Sequence, residues 1–112
     1  MAKQYNWHRV NSLPLATGEI IVLDVQGKKI CCTRHAGSLY AFAYKCPHAS
    51  GIMADGYMDD DGNVVCPLHR YRFNVKNGYN TSGEGFYLKT YPVEQREDGV
   101  YIGFEKSSLF GW

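Results

Sequence analysis

Short runs of β-branched and aromatic residues recur along the chain, alternating apolar with polar positions and closing on glycine or polar turns. A period of two marks strands that bury one face. The pattern predicts strands at Tyr5 to Val10, Glu19 to Val25, Lys28 to Arg34, Leu39 to Tyr44, Val64 to Cys66, Arg72 to Asn74, Thr90 to Glu94 and Val100 to Phe104. Gln26-Gly27, Ala36-Gly37 and Asp98-Gly99 stand where hairpins need residues that tolerate positive φ, so the flanking strands should pair antiparallel. No stretch carries a long helical period between caps. The expectation is an all-β antiparallel fold.

From Cys46 to Phe86 the rhythm changes to short strands, frequent glycines and the polar tip Asp59-Asp60-Asp61-Gly62-Asn63. This region looks like an insertion carried on the β-scaffold, as cofactor-binding loops commonly are. A chain of 112 residues suits one domain, 1–112, with the smaller inserted unit at about 45–86. Charged residues at 21% and a net charge of +1 give no basic excess to hold a phosphate backbone, so nucleic acid is not an expected partner. Neither a signal peptide nor a run of the roughly 20 apolar residues needed to cross a membrane is present. A cytoplasmic monomer is expected.

Four cysteines lie at 31, 32, 46 and 66. Neighbours on a strand point to opposite faces, so Cys31 and Cys32 are expected to be small core or surface side chains rather than a redox couple. Cys46 and Cys66 differ, because each has a histidine close by. Cys46-Pro47-His48 and Cys66-Pro67-Leu68-His69 form C-x-H, seventeen residues, C-x-x-H. Each loop offers one thiolate and one imidazole, which suits a 2Fe-2S cluster with two unlike irons, one taking both cysteines and the other both histidines. Two ferric ions, two sulfides and two thiolates sum to zero charge when both imidazoles are neutral, so an added electron is accepted more readily than by an all-cysteine cluster. The proline after each cysteine favours a turn that aims backbone N–H groups at sulfur.

Structural zinc is the rival for a Cys2His2 set, although zinc sites usually pair like with like at short spacing. A thiol nucleophile explains two such pairs poorly. The aspartates at 55, 59, 60 and 61 lack the ligand spacing of a calcium loop and suit a solvated turn. His8 and His35 have no ligand neighbours and are expected on strands or at the surface.

The two spaced pairs resemble the Rieske family, and the likeness extends through Phe73-Asn74-Val75 and Leu88-Lys89-Thr90-Tyr91-Pro92-Val93, which are similar to its ferredoxin branch. That resemblance implies an antiparallel β-sandwich or incomplete barrel with a smaller inserted cluster-binding subdomain. It also implies Cys46 and Cys66 on an inner iron and His48 and His69 on an outer, surface-facing one. Gly51 and Leu68 stand where high-potential members place two disulfide-forming cysteines. The chain therefore resembles the small, low-potential ferredoxins that carry electrons from a flavin-dependent reductase to a terminal oxygenase, most often one hydroxylating aromatic rings.

Other implied roles are a component like the small subunit of nitrite reductase, which often lacks the ligands, and a redox-sensing or structural module. High-potential members supply serine and tyrosine hydroxyls to cluster sulfur where this chain has Tyr71 and Phe73. A potential near the low end of the Rieske range, about −150 mV rather than +300 mV, follows. Arg70 replaces the family's usual glycine, either pairing with a loop aspartate or Glu84, or steering an acidic partner together with Lys45 and Arg72. The third loop, Ser82 to Gly85, should cover the cluster's remaining side, and the tail Leu109 to Trp112 should pack on the surface.

Overall fold

The computed structural model describes residues 4–47, 51–81 and 85–106. Ten strands and one 3-10 turn, Met53–Asp55, make up the regular structure of these residues. The strands are β1 (Tyr5–Val10), β2 (Ile20–Val25), β3 (Lys28–His35), β4 (Ser38–Ala43), β5 (Tyr57–Met58), β6 (Asn63–Val65), β7 (Arg72–Asn74), β8 (Thr90–Tyr91), β9 (Val93–Arg96) and β10 (Gly99–Glu105). They form three antiparallel sheets, ordered β1-β10-β9, β2-β3-β4-β8 and β5-β6-β7. Among the described residues, no helix is long and apolar enough to cross a membrane.

The four-stranded sheet lies between two cores. Leu23, Val25, Ile30, Cys32, Leu39, Ala41, Tyr91 and Ile102 fill one, against the β1-β10-β9 sheet. Cys31, Phe42, Met53, Val64, Phe73, Val75 and Leu88 fill the other, against the β5-β6-β7 sheet. Period two therefore gives β3 an apolar residue on each face, and Ile30, Cys31, Cys32 and Thr33 are all fully buried. Both cysteines are core residues in separate clusters, so the surface alternative is set aside. Burial first, and for Cys31 the neighbouring Cys32 next, pushes the two thiols up to about 12 and about 11, which makes them inert. Thr33 satisfies its buried hydroxyl by donating to the Glu19 carbonyl at 2.7 Å.

Hairpin chemistry holds at two of the three joints. Gln26-Gly27 and Ala36-Gly37 take φ of 54° and 79°, and of 50° and 83°, as a primed two-residue turn requires. At the third joint Gly99 pairs with Arg96, so the turn is Glu97-Asp98 and the glycine opens β10. The expected strand from Thr90 to Glu94 is broken at Pro92. Residues 90 and 91 pair with β4, whereas Val93 onward pairs with β10. Proline has no N–H to continue a ladder, and its own carbonyl accepts the Gly103 N–H at 2.9 Å, turning the chain from one sheet into the next. β5, only two residues long, was too short for periodicity to show. β1 and β2 do not pair, which leaves the barrel open along that seam.

The third sheet comes wholly from the chain between β4 and β8. Its tip is organised by Asp59, whose Oδ1 accepts the Asp61 and Asn63 N–H groups, both at 2.9 Å. Its Oδ2 accepts the Asn63 amide at 3.1 Å and lies 4.0 Å from the Arg72 Nε. Burial by itself pushes this carboxyl up, yet the bonds from Asn63 and Asp61 and the Arg72 charge together hold it below its ordinary value. Asp59, Asp60 and Asp61 thus form a turn, as expected, whereas Asp55 lies apart from it in the 3-10 turn. His35 reaches it from β3, its Nε2 2.9 Å from where a β-carbon on Gly62 would stand, and His8 packs in β1 against Phe104.

Candidate metal centre

Two loops at one end of the third sheet are built alike. The Cys46 N–H donates to the Gly51 carbonyl, and the Cys66 N–H donates to the Tyr71 carbonyl, both at 2.8 Å. Each cysteine thereby closes a loop on the residue five positions later. The first loop is further fixed by the Lys45–Ile52 bridge and the Met53 N–H bond to the Tyr44 carbonyl at 2.8 Å. The second is carried between β6 and β7, with Val65 and Arg72 paired at its base.

This construction brings Cys46 and Cys66 together. Both are buried, and their thiols are hydrogen-bonded to each other. Burial pushes the Cys66 thiol up to about 11 and the Cys46 sulfur adds to the rise, while the Leu68 N–H, hydrogen-bonded to the Cys66 sulfur, works against both. Pro67 and Leu68 form the turn that aims this N–H, as the Cys-Pro pattern suggested. Two buried thiols in contact, with an amide already directed at one sulfur, suit soft metal coordination, since a bound cation deprotonates such thiols outright.

His69 lies at the exposed tip of the second loop, its ring 6.3 Å from that of Tyr71. Tyr71 in turn packs against Phe86 at 6.0 Å. His48 lies outside the described residues, as do 82–84 of the third loop and the tail from 107 to 112. Among the described residues, no three histidine, cysteine or acidic side chains converge as a metal-binding group.

Gly51 and Leu68 face each other across the two loops. A β-carbon on Gly51 would stand 2.9 Å from the Cys66 Sγ and 3.2 Å from the Leu68 Cγ. The absence of a β-carbon is what lets the loops approach, a requirement that spacing alone did not reveal. Phe73 is fully buried in the same cluster as Cys46 and Cys66. Of the two arginines, Arg72 is the one near Asp59; among the described residues Arg70 makes no ion pair. A cleft of about 710 Å³ lies elsewhere, lined by Tyr40, Val75, Leu88 and Tyr91 among others and by none of the described cysteine and histidine candidates.

An all-β scaffold presenting two matched loops, each ending in a buried thiol, with an imidazole at the surface tip of one, defines a metal-binding protein of the iron–sulfur kind. The model of the Rieske [2Fe-2S] domain matches residues 4–92. The ferredoxin component of the alkene monooxygenase system of Xanthobacter autotrophicus is 30% identical over 88 residues, 79% of this chain and 72% of that protein. The ferredoxin of carbazole 1,9a-dioxygenase from Nocardioides aromaticivorans superimposes with a TM-score of 0.75 at 26% identity, covering 89% of this chain and 98% of that one. A chain of the complex of reduced oxygenase and oxidized ferredoxin in carbazole 1,9a-dioxygenase gives 0.70 at 27% identity, covering 79% of this chain and 91% of that one. The chain belongs to the Rieske [2Fe-2S] family. Its cofactor is a 2Fe-2S cluster and its work is electron transfer.

Proposed function

We propose that this chain is the ferredoxin of a multicomponent oxygenase system, taking single electrons from a flavin-dependent reductase and passing them to a terminal oxygenase of the aromatic-ring-hydroxylating kind. The observation that carries the reading is the meeting of Cys46 and Cys66 at the ends of two loops of equal construction. In this reading Cys46 and Cys66 hold one iron and His48 and His69 the other, within a cluster-binding unit at about 45–86 of a single domain spanning 1–112. The cluster, when bound, accepts and releases one electron at a time.

The protein's part is to hold the sulfurs in a dry core, to direct the Leu68 N–H at one of them, and to keep the His69 imidazole exposed where a partner can approach. Four buried thiols, none of them in a disulfide, suit a reducing, cytoplasmic setting. The related ferredoxins named above belong to oxygenase systems, which favours this partner class over a nitrite-reductase component or a sensor.

Purified protein should be red-brown and contain two iron and two acid-labile sulfides per chain, with the anisotropic electron-paramagnetic resonance of a reduced mixed-ligand cluster. Serine at Cys46 or Cys66 should abolish the cluster, and alanine at His48 or His69 should change or abolish the signal. Stoichiometric zinc in iron-replete preparations, or a normal spectrum in either serine variant, would refute the ligand assignment. Failure to sustain turnover with any reductase and ring-hydroxylating oxygenase pair from the same organism would refute the partners alone.

A further inference from the structure

The second loop turns on two consecutive residues in the left-handed region, His69 at φ 63° and Arg70 at φ 57°. A side chain bearing a β-carbon is disfavoured there, whereas glycine enters freely. For His69 the proposed ligand role accounts for the conformation, and the present inference rests on that reading. For Arg70 no contact seen among the described residues does. Its side chain is exposed and, among the described residues, makes no ion pair. Asp59, a loop carboxylate that could hold an arginine, is engaged by Asn63, Asp61 and Arg72. A cation thus sits next to the exposed imidazole, in a backbone conformation that glycine would adopt without strain, and no carboxylate among the described residues is paired with it. Strain kept without a structural return points to function.

We propose that Arg70 is a docking residue, presenting its guanidinium at the loop tip to carboxylates on the redox protein that meets His69. Lys45, exposed and adjacent to Cys46, places a second cation on the first loop. The preferred partner surface is therefore acidic around its own redox centre. Arginine suits this task because its planar fork binds a carboxylate through two parallel hydrogen bonds, which fixes orientation as well as proximity.

The test uses holoprotein and an electrode as the acidic surface: gold coated with a carboxylate-terminated monolayer, compared with an amine-terminated one. Arg70→Gly should slow electron exchange at the carboxylate surface several-fold at low salt, with the loss vanishing at high salt, and should show no such loss at the amine surface. Its spectrum should be unchanged. Relief of the left-handed strain should shift its unfolding equilibrium roughly five- to thirty-fold toward the native state. Arg70→Lys, which keeps charge and strain but loses the planar fork, should match the unmodified protein in stability and fall between it and Arg70→Gly in rate. An Arg70→Gly protein that exchanges electrons at the unmodified rate, or that is less stable than the unmodified protein, overturns the proposal. A voltammetric wave with unaltered rates overturns docking alone, whereas absence of any wave or cluster spectrum in the unmodified protein overturns the ferredoxin reading beneath it.

Discussion

Replacing Gly51 by alanine tests the contact on which the centre's shape depends. The added carbon would stand 2.9 Å from the Cys66 Sγ and 3.2 and 3.3 Å from the Leu68 Cγ and Cδ1, where unstrained neighbours keep about 3.5 Å or more. The two contacts differ in how easily they yield. Leu68 is 44% exposed and can swing outward, whereas Cys66 is fully buried and fixed by its loop bond to Tyr71. Most of the cost should therefore fall on the sulfur. Overpacking of a closed core costs about 1–3 kcal/mol, so we expect about 2 kcal/mol, roughly thirty-fold in the unfolding equilibrium.

Chemical unfolding of the holoprotein, followed by cluster absorbance, measures that shift, and electron-paramagnetic resonance reports whether the ligand field has changed. The double variant Gly51→Ala/Leu68→Ala separates the two contacts. If the sulfur bears the strain, removing the leucine side chain restores little of the spectrum. An unaltered spectrum and midpoint in the single variant, or complete restoration in the double one, would show that Gly51 does not set the position of Cys66.

Phe73→Tyr should raise the reduction potential, because the buried ring shares a core with both cysteines and a hydroxyl reaching either sulfur stabilises the more negative reduced state; a redox titration showing no change or a fall contradicts this. Gly78→Ala should leave little folded protein, since its β-carbon would stand 1.9 Å from the Leu88 carbonyl oxygen at a φ of 78°; near-native yield and melting temperature would count against the local geometry. For Asp59 the folded carboxyl titrates below its ordinary value of 3.8, so the charged form stabilises the fold above that pH and the benefit disappears as pH falls through the lower, folded value. The stability gap between the unmodified protein and Asp59→Asn should accordingly narrow in acid, and a gap that stays constant across urea titrations from neutral to acidic pH would exclude the linkage.

The long strands were legible in the sequence because alternation and turn chemistry act locally, as β1 to β4 and β10 show. What escaped depends on partners distant in sequence. Adjacent cysteines at 31 and 32 do not reveal that their strand has a core on each side; that becomes visible only once the third sheet covers the second. The strand expected from Thr90 to Glu94 ran through Pro92, and the change of sheet there becomes visible only from the pairing with β4 and β10. At the centre, residue types and spacing singled out Cys46, Cys66 and His69 together with His48, which lies outside the described residues. The clearance at Gly51 and the left-handed Arg70 are properties of backbone path, to which periodicity is blind. Of the partners considered for Arg70, Asp59 is found beside Arg72, and Glu84 lies outside the described residues.

The segment bearing the loops leaves β4 and rejoins the chain at β8, and these two strands are hydrogen-bonded neighbours, with Ala41 opposite Tyr91, Phe42 opposite Thr90, and the Ala43 N–H bonded to the Lys89 carbonyl at 2.9 Å. Its two ends are therefore side by side, in the position of an ordinary hairpin turn. Such an arrangement makes the segment a cassette: any antiparallel pair of strands could receive it without altered register, and this scaffold could exchange it for a tight turn. The transfer would not be symmetrical. Removing the cassette uncovers Cys31 and Phe42 on the face left behind, and a new host must offer a comparable apolar platform before the loops would settle on it.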